Sequence, residues 1–229
     1  GSKRALVGVL GSLADAAGAR SAVDLFTGTT RVAQEFCRRG LDTVAVDTAA
    51  YSEVLAQCYV ETDAAAVDAD EVADALARLS ALASRRGYVT EVFCERARYF
   101  HPDSGVRIDA IRDGIDDLYA GSPLRPLLLT SLLEAADRVD ATVGVQMAFL
   151  KQYPPRALRP LRLRAPVLTP GRGTAVRADA QAYVATMPSV DLAYLDPPYN
   201  QHRYFTNYHV WETLVRWDAP EHYGIACKR

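Results

Sequence analysis

The sequence predicts an α/β domain in which helices cover both faces of a parallel sheet. Two short apolar runs, residues 22–26 and 43–47, are each followed by a segment with helical periodicity, residues 31–39 and 50–60. Gly28 lies between the first strand and its helix, where a turn is expected. Strands that alternate with helices in this way are typical of β-α-β units in parallel sheets.

A helix is also predicted over residues 3–17, ahead of the first strand. Its apolar residues recur at helical spacing: Leu6, Val9, Leu10 and Leu13. This spacing places them on one face, which is typical of an amphipathic helix.

The alternation of strands and helices stops between residues 61 and 173. Three segments there have helical periodicity: 68–86, 106–120 and 124–140. The strand pattern resumes at 174–178 and 191–196. We therefore expect one α/β domain, formed by residues 3–60 and 174–229, and a largely helical insertion over 61–173.

The composition is that of a globular protein. The 229 residues include 26 Lys and Arg and 28 Asp and Glu, which gives a net charge of −2, and 49% are hydrophobic. These values exclude disorder as the dominant state, and no apolar run approaches the length of a membrane span. The four cysteines are widely separated and there are only four histidines. We expect a cytoplasmic protein with reduced thiols, no bound metal and no membrane association.

Charge is segregated along the chain. Residues 141–178 contain seven basic residues and no acidic one, whereas residues 61–140 contain 16 acidic and nine basic residues. Five prolines between 151 and 177 exclude a regular helix there and indicate extended, exposed backbone. Such a segment can contact a polyanion, although a solvated basic loop beside an acidic helical face is the alternative.

The most specific motif is Asp196-Pro197-Pro198-Tyr199, which directly follows the apolar run at 192–195. The prolines fix the backbone and lack amide donors, so that hydrogen-bond acceptors dominate the turn. Acceptors beside an aromatic ring suit an exocyclic amine on a flat heterocycle, which can stack on Tyr199. The alternative is a Pro-Pro turn capped by a packed tyrosine.

Such a turn could promote nucleophilic attack by the amine nitrogen, because it offers a hydrogen-bond acceptor to each of the two amine N–H groups. The lone pair of an adenine N6 amine is delocalised into the ring, which makes the nitrogen a poor nucleophile. Acceptors favour a pyramidal nitrogen and stabilise the positive charge that develops on it during attack. No strong general base is required before the attack.

The electrophile is expected near the first strand. The segment Asp24-Leu25-Phe26-Thr27-Gly28 joins a strand to a helix, an arrangement that brings a ligand against backbone amides. Its single glycine disfavours a nicotinamide or flavin dinucleotide. Asp47, at the end of the second strand, can accept hydrogen bonds from ribose hydroxyls, although strand-end acids are often structural. Together these residues indicate a nucleoside cofactor beside an amine acceptor.

The order of these motifs resembles that of the Dam-like, alpha-class adenine-N6 DNA methyltransferases. In that family the S-adenosylmethionine loop comes first, the target-recognition region second and the catalytic tetrapeptide last. The resemblance implies a Rossmann-like class I S-adenosylmethionine-dependent methyltransferase fold. It also implies methyl transfer from S-adenosylmethionine to adenine N6 in double-stranded DNA, for restriction-modification or for genome marking.

The resemblance implies roles for individual residues. Asp24, Phe26 and Gly28 would line the cofactor, Asp47 would hold its ribose and Asp179 would contact its adenine. Lys3 matches a lysine of the family's N-terminal motif. The catalytic residues would be Asp196, Pro197, Pro198 and Tyr199.

DNA would be contacted from the insertion and from the region after the tetrapeptide. Cations of the proline-rich stretch and one tyrosine are the candidates: Lys151, Arg156, Arg159, Arg162, Arg164 and Tyr204. Tyr99, Phe100, His101 and Gln146 are weaker candidates for base contacts, because a core or surface role is the alternative for each. His209 is assigned a polar or packing role.

The family's sheet continues beyond the catalytic turn, whereas 33 residues follow Asp196 here. We therefore expect a sheet that is incomplete at the C-terminus and is completed by a partner chain or by a missing segment. Two alternatives stay open: the same chemistry on cytosine N4 or RNA adenine, and a non-catalytic subunit that binds DNA or cofactor.

Overall fold

The computed structural model of the chain describes residues 5–171, 173–198 and 204–229. Lys3 and Tyr199 lie outside the described residues, and so does the side chain of Tyr204. The chain divides into two compact units. Unit 1 is bounded by Gly1–Asp68 and Val167–Tyr199, and unit 2 by Ala69–Pro166 and Asn200–Arg229.

Unit 1 alternates strands and helices, as its sequence predicts. Its regular elements are α1 (Val7–Ala16), β1 (Ser21–Asp24), α2 (Arg31–Arg38), β2 (Asp42–Asp47), α3 (Ala50–Ala56), β3 (Thr174–Arg177), α7 (Ala180–Val184) and β4 (Leu192–Tyr194). A π-helical turn, Gln57–Glu61, continues α3. The chain is therefore a mixed α/β protein.

The four strands form one parallel sheet in the order β3-β2-β1-β4. The register pairs Asp24 with Ala45 of β2 and with Tyr194 of β4. Asp47 is paired with Arg177 of β3. Because all strands run in the same direction, their carboxyl ends lie along one edge of the sheet.

Helices pack on both faces of this sheet. Ala22 and Ala45 face the side covered by α1, α2 and α3, where they contact Val32, Phe36 and Ala33 of α2. The opposite face carries Val23, Leu25 and Val46, which pack against α7 and the segment after it. The alternation of the two faces along each strand follows from the two-residue period of β structure.

The packing of α1 differs from the sequence-based expectation. Leu10 contacts the core only in part, and Leu6, Val9 and Leu13 are exposed. The buried face instead contains Gly11 and Ala14. A Cβ at Gly11 would lie 2.1–2.6 Å from the ends of the Arg39 and Glu35 side chains, which cover this face. The buried face of α1 is thus formed by its small residues.

Unit 2 is helical. Its elements are α4 (Ala69–Ser80), a π-helix (Val89–Arg96), α5 (Pro102–Tyr119), α6 (Arg125–Asp137), short 3-10 turns (Pro155–Leu158 and Tyr204–Asn207) and α8 (His209–Arg216). Three of these helices correspond to those predicted over 68–86, 106–120 and 124–140. The unit takes up residues 69–166 and 200–229, whereas the predicted insertion spans 61–173.

The buried carboxylate of Asp109, on α5, holds the start of the π-helix. It accepts hydrogen bonds from the amides of Gly87, Val89 and Thr90, each at 2.9 Å, and from the Thr90 hydroxyl at 2.6 Å. Burial raises the pKa of Asp109, and these hydrogen bonds oppose that rise. A helix begins here because a side chain about 20 residues away satisfies its first amide donors.

Replacing Asp109 with asparagine is expected to lower the free energy of unfolding by about 1–3 kcal/mol. The amide nitrogen of asparagine is a donor, so at least one of the four donors around it would lose its acceptor. Urea unfolding measures the change, with Asp117→Asn, an exposed position on the same helix, as the control. Equal stability of both variants and the wild type would contradict the role of Asp109.

Arg112 of α5 similarly holds the end of α8. It is fully buried, and its Nε and Nη2 donate to the carbonyls of Leu214 and Val215 at 2.6 and 3.1 Å. Its guanidinium lies 5.2 Å from the Trp217 ring centroid, and Trp217 Nε1 donates to Asp113. Trp217 is therefore a structural residue of unit 2.

All four cysteines, Cys37, Cys58, Cys94 and Cys227, are free and buried. Across the described ranges, no helix combines the length and the apolar character that crossing a membrane requires.

Candidate functional site

The parallel sheet brings most of the residues predicted for the site to one edge. Asp179 follows β3, Asp47 ends β2, the loop at 25–30 follows β1 and Asp196 follows β4. This order is also their order across the sheet. Between β1 and β4 the strand order reverses, because β2 and β3 lie on one side of β1 and β4 lies on the other. Crevices at such reversal points are the usual ligand sites of open α/β sheets.

The loop after β1 is tied to the end of β2. The Gly28 amide donates to Asp47 Oδ2 at 2.9 Å, and the Ala49 amide donates to Asp47 Oδ1 at 3.0 Å. Gly28 has φ 51°, and a Cβ there would meet only the Phe26 carbonyl oxygen, at 3.9 Å, among the described atoms. The glycine therefore allows a left-handed turn and leaves the space above it open.

Two buried side-chain oxygens, one at the end of β1 and one in the loop that follows it, lack a hydrogen bond. Within the described ranges, Asp24 Oδ1 and Thr27 Oγ1 make no hydrogen bond, although both residues are buried. Burial raises the pKa of Asp24 to about 7, against the opposing effect of the Thr27 hydroxyl and of the backbone of Phe26 and Ala33, and the negative charge of Asp47 adds to the rise. Unpaired buried acceptors are costly and indicate a site for a ligand that supplies donors.

Asp179 and Phe26 have local contacts in unit 1. The Asp179 carboxylate caps α7 through Oδ1, which accepts from the amides of Gln181 and Ala182 at 3.0 and 3.1 Å. Its side chain is exposed. Phe26 is half-buried against the core that Val23 and Val46 form on the α7 face.

Asp196 lies two residues beyond Tyr194, as Phe26 lies two residues beyond Asp24. A hydrogen bond joins these two segments where the strands end, because the Leu25 amide donates to the Tyr194 carbonyl at 3.2 Å. Asp196 is half-buried, and Pro197 and Pro198 are exposed. The Asp-Pro-Pro turn and the glycine loop thus end neighbouring strands. Tyr199, the last residue of the tetrapeptide, lies outside the described residues.

The basic residues of the proline-rich stretch differ in their contacts. The Arg156 guanidinium donates to Asp140 Oδ1 at 2.5 Å and to the carbonyls of Asp140 and Thr142 at 2.9 and 2.6 Å. Lys151, Arg159, Arg162 and Arg164 have exposed side chains. Arg156 therefore holds a turn of its own unit, whereas the other four cations face solvent.

Three of the weaker candidates for base contacts belong to the core of unit 2. Tyr99, Phe100 and Gln146 are buried. The Tyr99 hydroxyl donates to the Gln146 carbonyl at 2.8 Å and lies 3.1 Å from His209 Nε2. Burial lowers the pKa of His209 to about 4, so that the imidazole is neutral at pH 7. These residues join loops and the start of α8, and burial keeps them from base edges.

Comparison with known proteins identifies the family of this chain. Residues 1–229 match the family model of the D12 class N6 adenine-specific DNA methyltransferases. The chain belongs to this family. The resemblance inferred from the tetrapeptide and the glycine loop is thereby confirmed.

Several proteins related to this chain are named as methyltransferases. The type II methyltransferase M.NlaIII of Neisseria lactamica is 34% identical over 205 residues, which cover 85% of this chain and 60% of that protein. M.CviAII of Paramecium bursaria Chlorella virus 1 is 30% identical, with coverages of 84% and 60%. M.FokI of Planomicrobium okeanokoites is 29% identical, with coverages of 88% and 34%. The chain thus spans at most about 60% of these proteins. No solved structure matched it significantly.

Proposed function

We propose that this chain carries the methyl-transfer site of a DNA methyltransferase that modifies adenine N6 in duplex DNA. The main observation that supports this proposal is the reversal of strand order between β1 and β4, which places the Asp-Pro-Pro turn next to the glycine loop. One loop can hold the methyl donor and the other the accepting amine, so that the two reactants meet at one edge. We further propose that the α/β unit is a Rossmann-like class I methyltransferase fold.

S-adenosylmethionine is the proposed cofactor, and it supplies an electrophilic methyl group on a sulfonium. The unpaired oxygens of Asp24 and Thr27 fit its ammonium and hydroxyl donors. Asp47 already accepts two backbone amides, but each carboxylate oxygen keeps a further lone pair for a ribose hydroxyl. Phe26 and Gly28 would line the same space, and Asp179 Oδ2 would accept from the adenine amine. Lys3 stays a candidate for this site.

The Asp-Pro-Pro turn would bind the amine of an adenine rotated out of the duplex. The Asp196 carboxylate and the Pro197 carbonyl would each accept a hydrogen bond from one N–H group of the amine, and Pro198 would keep the turn rigid. These acceptors would stabilise the positive charge that grows on the nitrogen as its bond to the methyl group forms and the sulfonium becomes a neutral thioether, and the nitrogen would then lose its proton to water. Tyr199 would stack on the base, with Tyr204 beside the DNA.

The exposed cations of the proline-rich stretch are proposed to contact DNA phosphates. Lys151, Arg159, Arg162 and Arg164 have solvent-facing side chains, which can approach a backbone without breaking internal pairs. Arg156 was also predicted for this role, but its bonds to Asp140 leave it a secondary candidate. Unit 2 would thus hold the target-recognition region and unit 1 the catalytic one. Such an enzyme would act on DNA in the cytoplasm.

Nucleoside analysis tests the proposed function. The protein is incubated with duplex DNA and labelled S-adenosylmethionine, and the digested nucleosides are identified by mass spectrometry. We expect N6-methyladenine in DNA, as the named type II relatives suggest. N4-methylcytosine or methylated RNA would instead support a different amine acceptor. Cofactor binding without transfer to either nucleic acid would support a non-catalytic subunit.

A further inference from the structure

Unit 2 contains a cavity of about 510 Å³ that the proposed methyl-transfer edge does not include. It lies at the start of α5, beside the segment 157–161 of the proline-rich stretch. Its wall combines cations, hydroxyls and apolar side chains. A volume of this size accommodates a small ligand rather than a few waters.

The polar part of the wall offers hydrogen-bond donors. Ser104 is only 3% exposed, lines the cavity and has a hydroxyl without a hydrogen-bond partner in the described part of the chain. His101 lies beside it, with Nδ1 3.3 Å from the Asp103 amide nitrogen and 3.4 Å from Asp103 Oδ2. The hydroxyl of a buried residue that lacks a partner favours a ligand that can accept a hydrogen bond.

Two arginines give this wall its charge. Arg107 donates to the carbonyls of Ser80 and Leu82, which fixes its guanidinium between α4 and α5. Arg159 is exposed, and within the described residues it has no ion pair or hydrogen bond through its side chain. One acid, Asp103, lines the same cavity, with a side chain that is 92% exposed. The cavity therefore has an excess of positive charge and a free guanidinium.

The remaining wall is apolar and open to solvent. Leu158 is 62% exposed, and Val106 and Pro160 line the cavity together with it. An inorganic anion would use the cations and hydroxyls but not these side chains. A nucleotide would use both, because its phosphate accepts hydrogen bonds while its sugar and base present apolar surface.

We propose that this cavity binds one nucleotide of the DNA strand, with the phosphate at Arg159, Ser104 and His101 and the sugar and base against Leu158 and Pro160. The proposal rests on the proposed function in one respect, that DNA is the ligand of this protein. It adds a nucleotide contact in unit 2 to the base contact proposed at Asp196. It also gives His101 a role in DNA binding.

Binding of a fluorescein-labelled duplex by three variants tests the proposal. Ser104→Ala removes only a hydroxyl and is expected to weaken binding about 3–10-fold without changing the salt dependence, because no charge is lost. Arg159→Ala is expected to weaken binding by about 10-fold and to reduce the salt slope by about one unit. Arg162→Ala is the matched control, since it removes one exposed charge from the same stretch outside the cavity. It should change the salt slope in a similar way.

Cross-linking locates the contact independently of affinity. Duplexes that contain 5-iododeoxyuridine are irradiated with the protein, and cross-linked peptides are identified by mass spectrometry. We expect cross-links in the peptide that contains Leu158 and Pro160, retained in Arg162→Ala and lost in Arg159→Ala. Deoxynucleoside monophosphates should compete better than inorganic phosphate at equal concentration. Equal competition would overturn the nucleotide in favour of a phosphate-only site.

The outcomes separate this proposal from the proposed function. Wild-type affinity of Ser104→Ala, together with no cross-link in that peptide, would overturn the nucleotide site even if the protein methylates DNA. Cross-linking at the cavity by a wild-type protein that methylates no DNA would retain the site and overturn the methyltransferase function. Thermal unfolding of each variant verifies that it is folded, and the exposed position of Arg159 allows its replacement without loss of core packing.

Discussion

Replacing Asp196 with alanine is expected to slow methyl transfer to DNA by about 100–1000-fold, the scale of losing one group that stabilises transition-state charge. The substitution removes one of the two acceptors proposed for the amine and leaves the Pro197 carbonyl. Asp196 is half-buried at the end of an edge strand of the described sheet, so the fold should tolerate the change. Transfer of a tritiated methyl group measures the rate, and calorimetric titration measures cofactor binding, which should be retained.

Two further variants sharpen this test. Asp196→Asn keeps one carbonyl acceptor and should fall between the wild type and the alanine variant. Asp42→Ala removes an exposed carboxylate at the opposite, amino-terminal end of β2 and should leave the rate unchanged. If the Asp196→Ala protein transfers methyl groups at the wild-type rate, Asp196 does not bind the amine. Loss of cofactor binding in that variant would assign it to the other half of the site.

That the strands bearing the candidate site residues end at one edge of the sheet was predictable, because it depends on short-range patterns. Apolar runs that end in Phe26, Asp47 and Asp196 indicated where strands stop. Parallel strands bring such ends together whatever the details of packing. The sequence did not indicate that the carboxylate of Asp47 already binds the Gly28 amide, since that bond needs the register of two strands. Nor did it show which oxygens of the loop stay unpaired.

Features set by long-range contacts were not predictable from the sequence. No helix was predicted over Val89–Arg96, whose β-branched and aromatic residues favour strands, and whose first amides are satisfied by Asp109. The buried face of α1 contains Gly11 and Ala14, and Ala14 packs with Val32 and Phe36 of α2, so the spacing of the larger apolar residues did not indicate the buried face. The sequence also did not indicate that Arg156, which is predicted to contact DNA, pairs with Asp140, a residue that precedes it by 16 positions.

The stability of the protein is expected to fall as pH rises from about 4 to about 7, to the extent that Asp24 controls it. Burial raises the pKa of Asp24 to about 7 in the folded protein, whereas the unfolded chain ionises it near the ordinary value of 3.8. Between these values the folded state holds a proton that the unfolded state has released, so unfolding becomes easier as the pH rises. The stabilisation is complete below the unfolded pKa and is lost as the pH passes the folded pKa.

The variant Asp24→Asn should not show this loss, because an asparagine side chain does not ionise. Its stability advantage over the wild type is expected to grow by about 2–3 kcal/mol between pH 5 and pH 8 in urea unfolding. Asp42→Asn, at an exposed position, should follow the wild type at both pH values.

S-adenosylmethionine should reverse the advantage of Asp24→Asn at pH 8, because its ammonium would pair with the ionised Asp24 and stabilise only the wild type. A cofactor that stabilises both proteins equally would show that Asp24 is structural. A constant difference between the variant and the wild type at the two pH values would show instead that Asp24 is ionised throughout this range in the folded protein. The Thr27 hydroxyl and the backbone of Phe26 and Ala33, which act to lower the pKa of Asp24, would then outweigh the effect of burial, because a buried carboxylate stays ionised only where donors stabilise its charge.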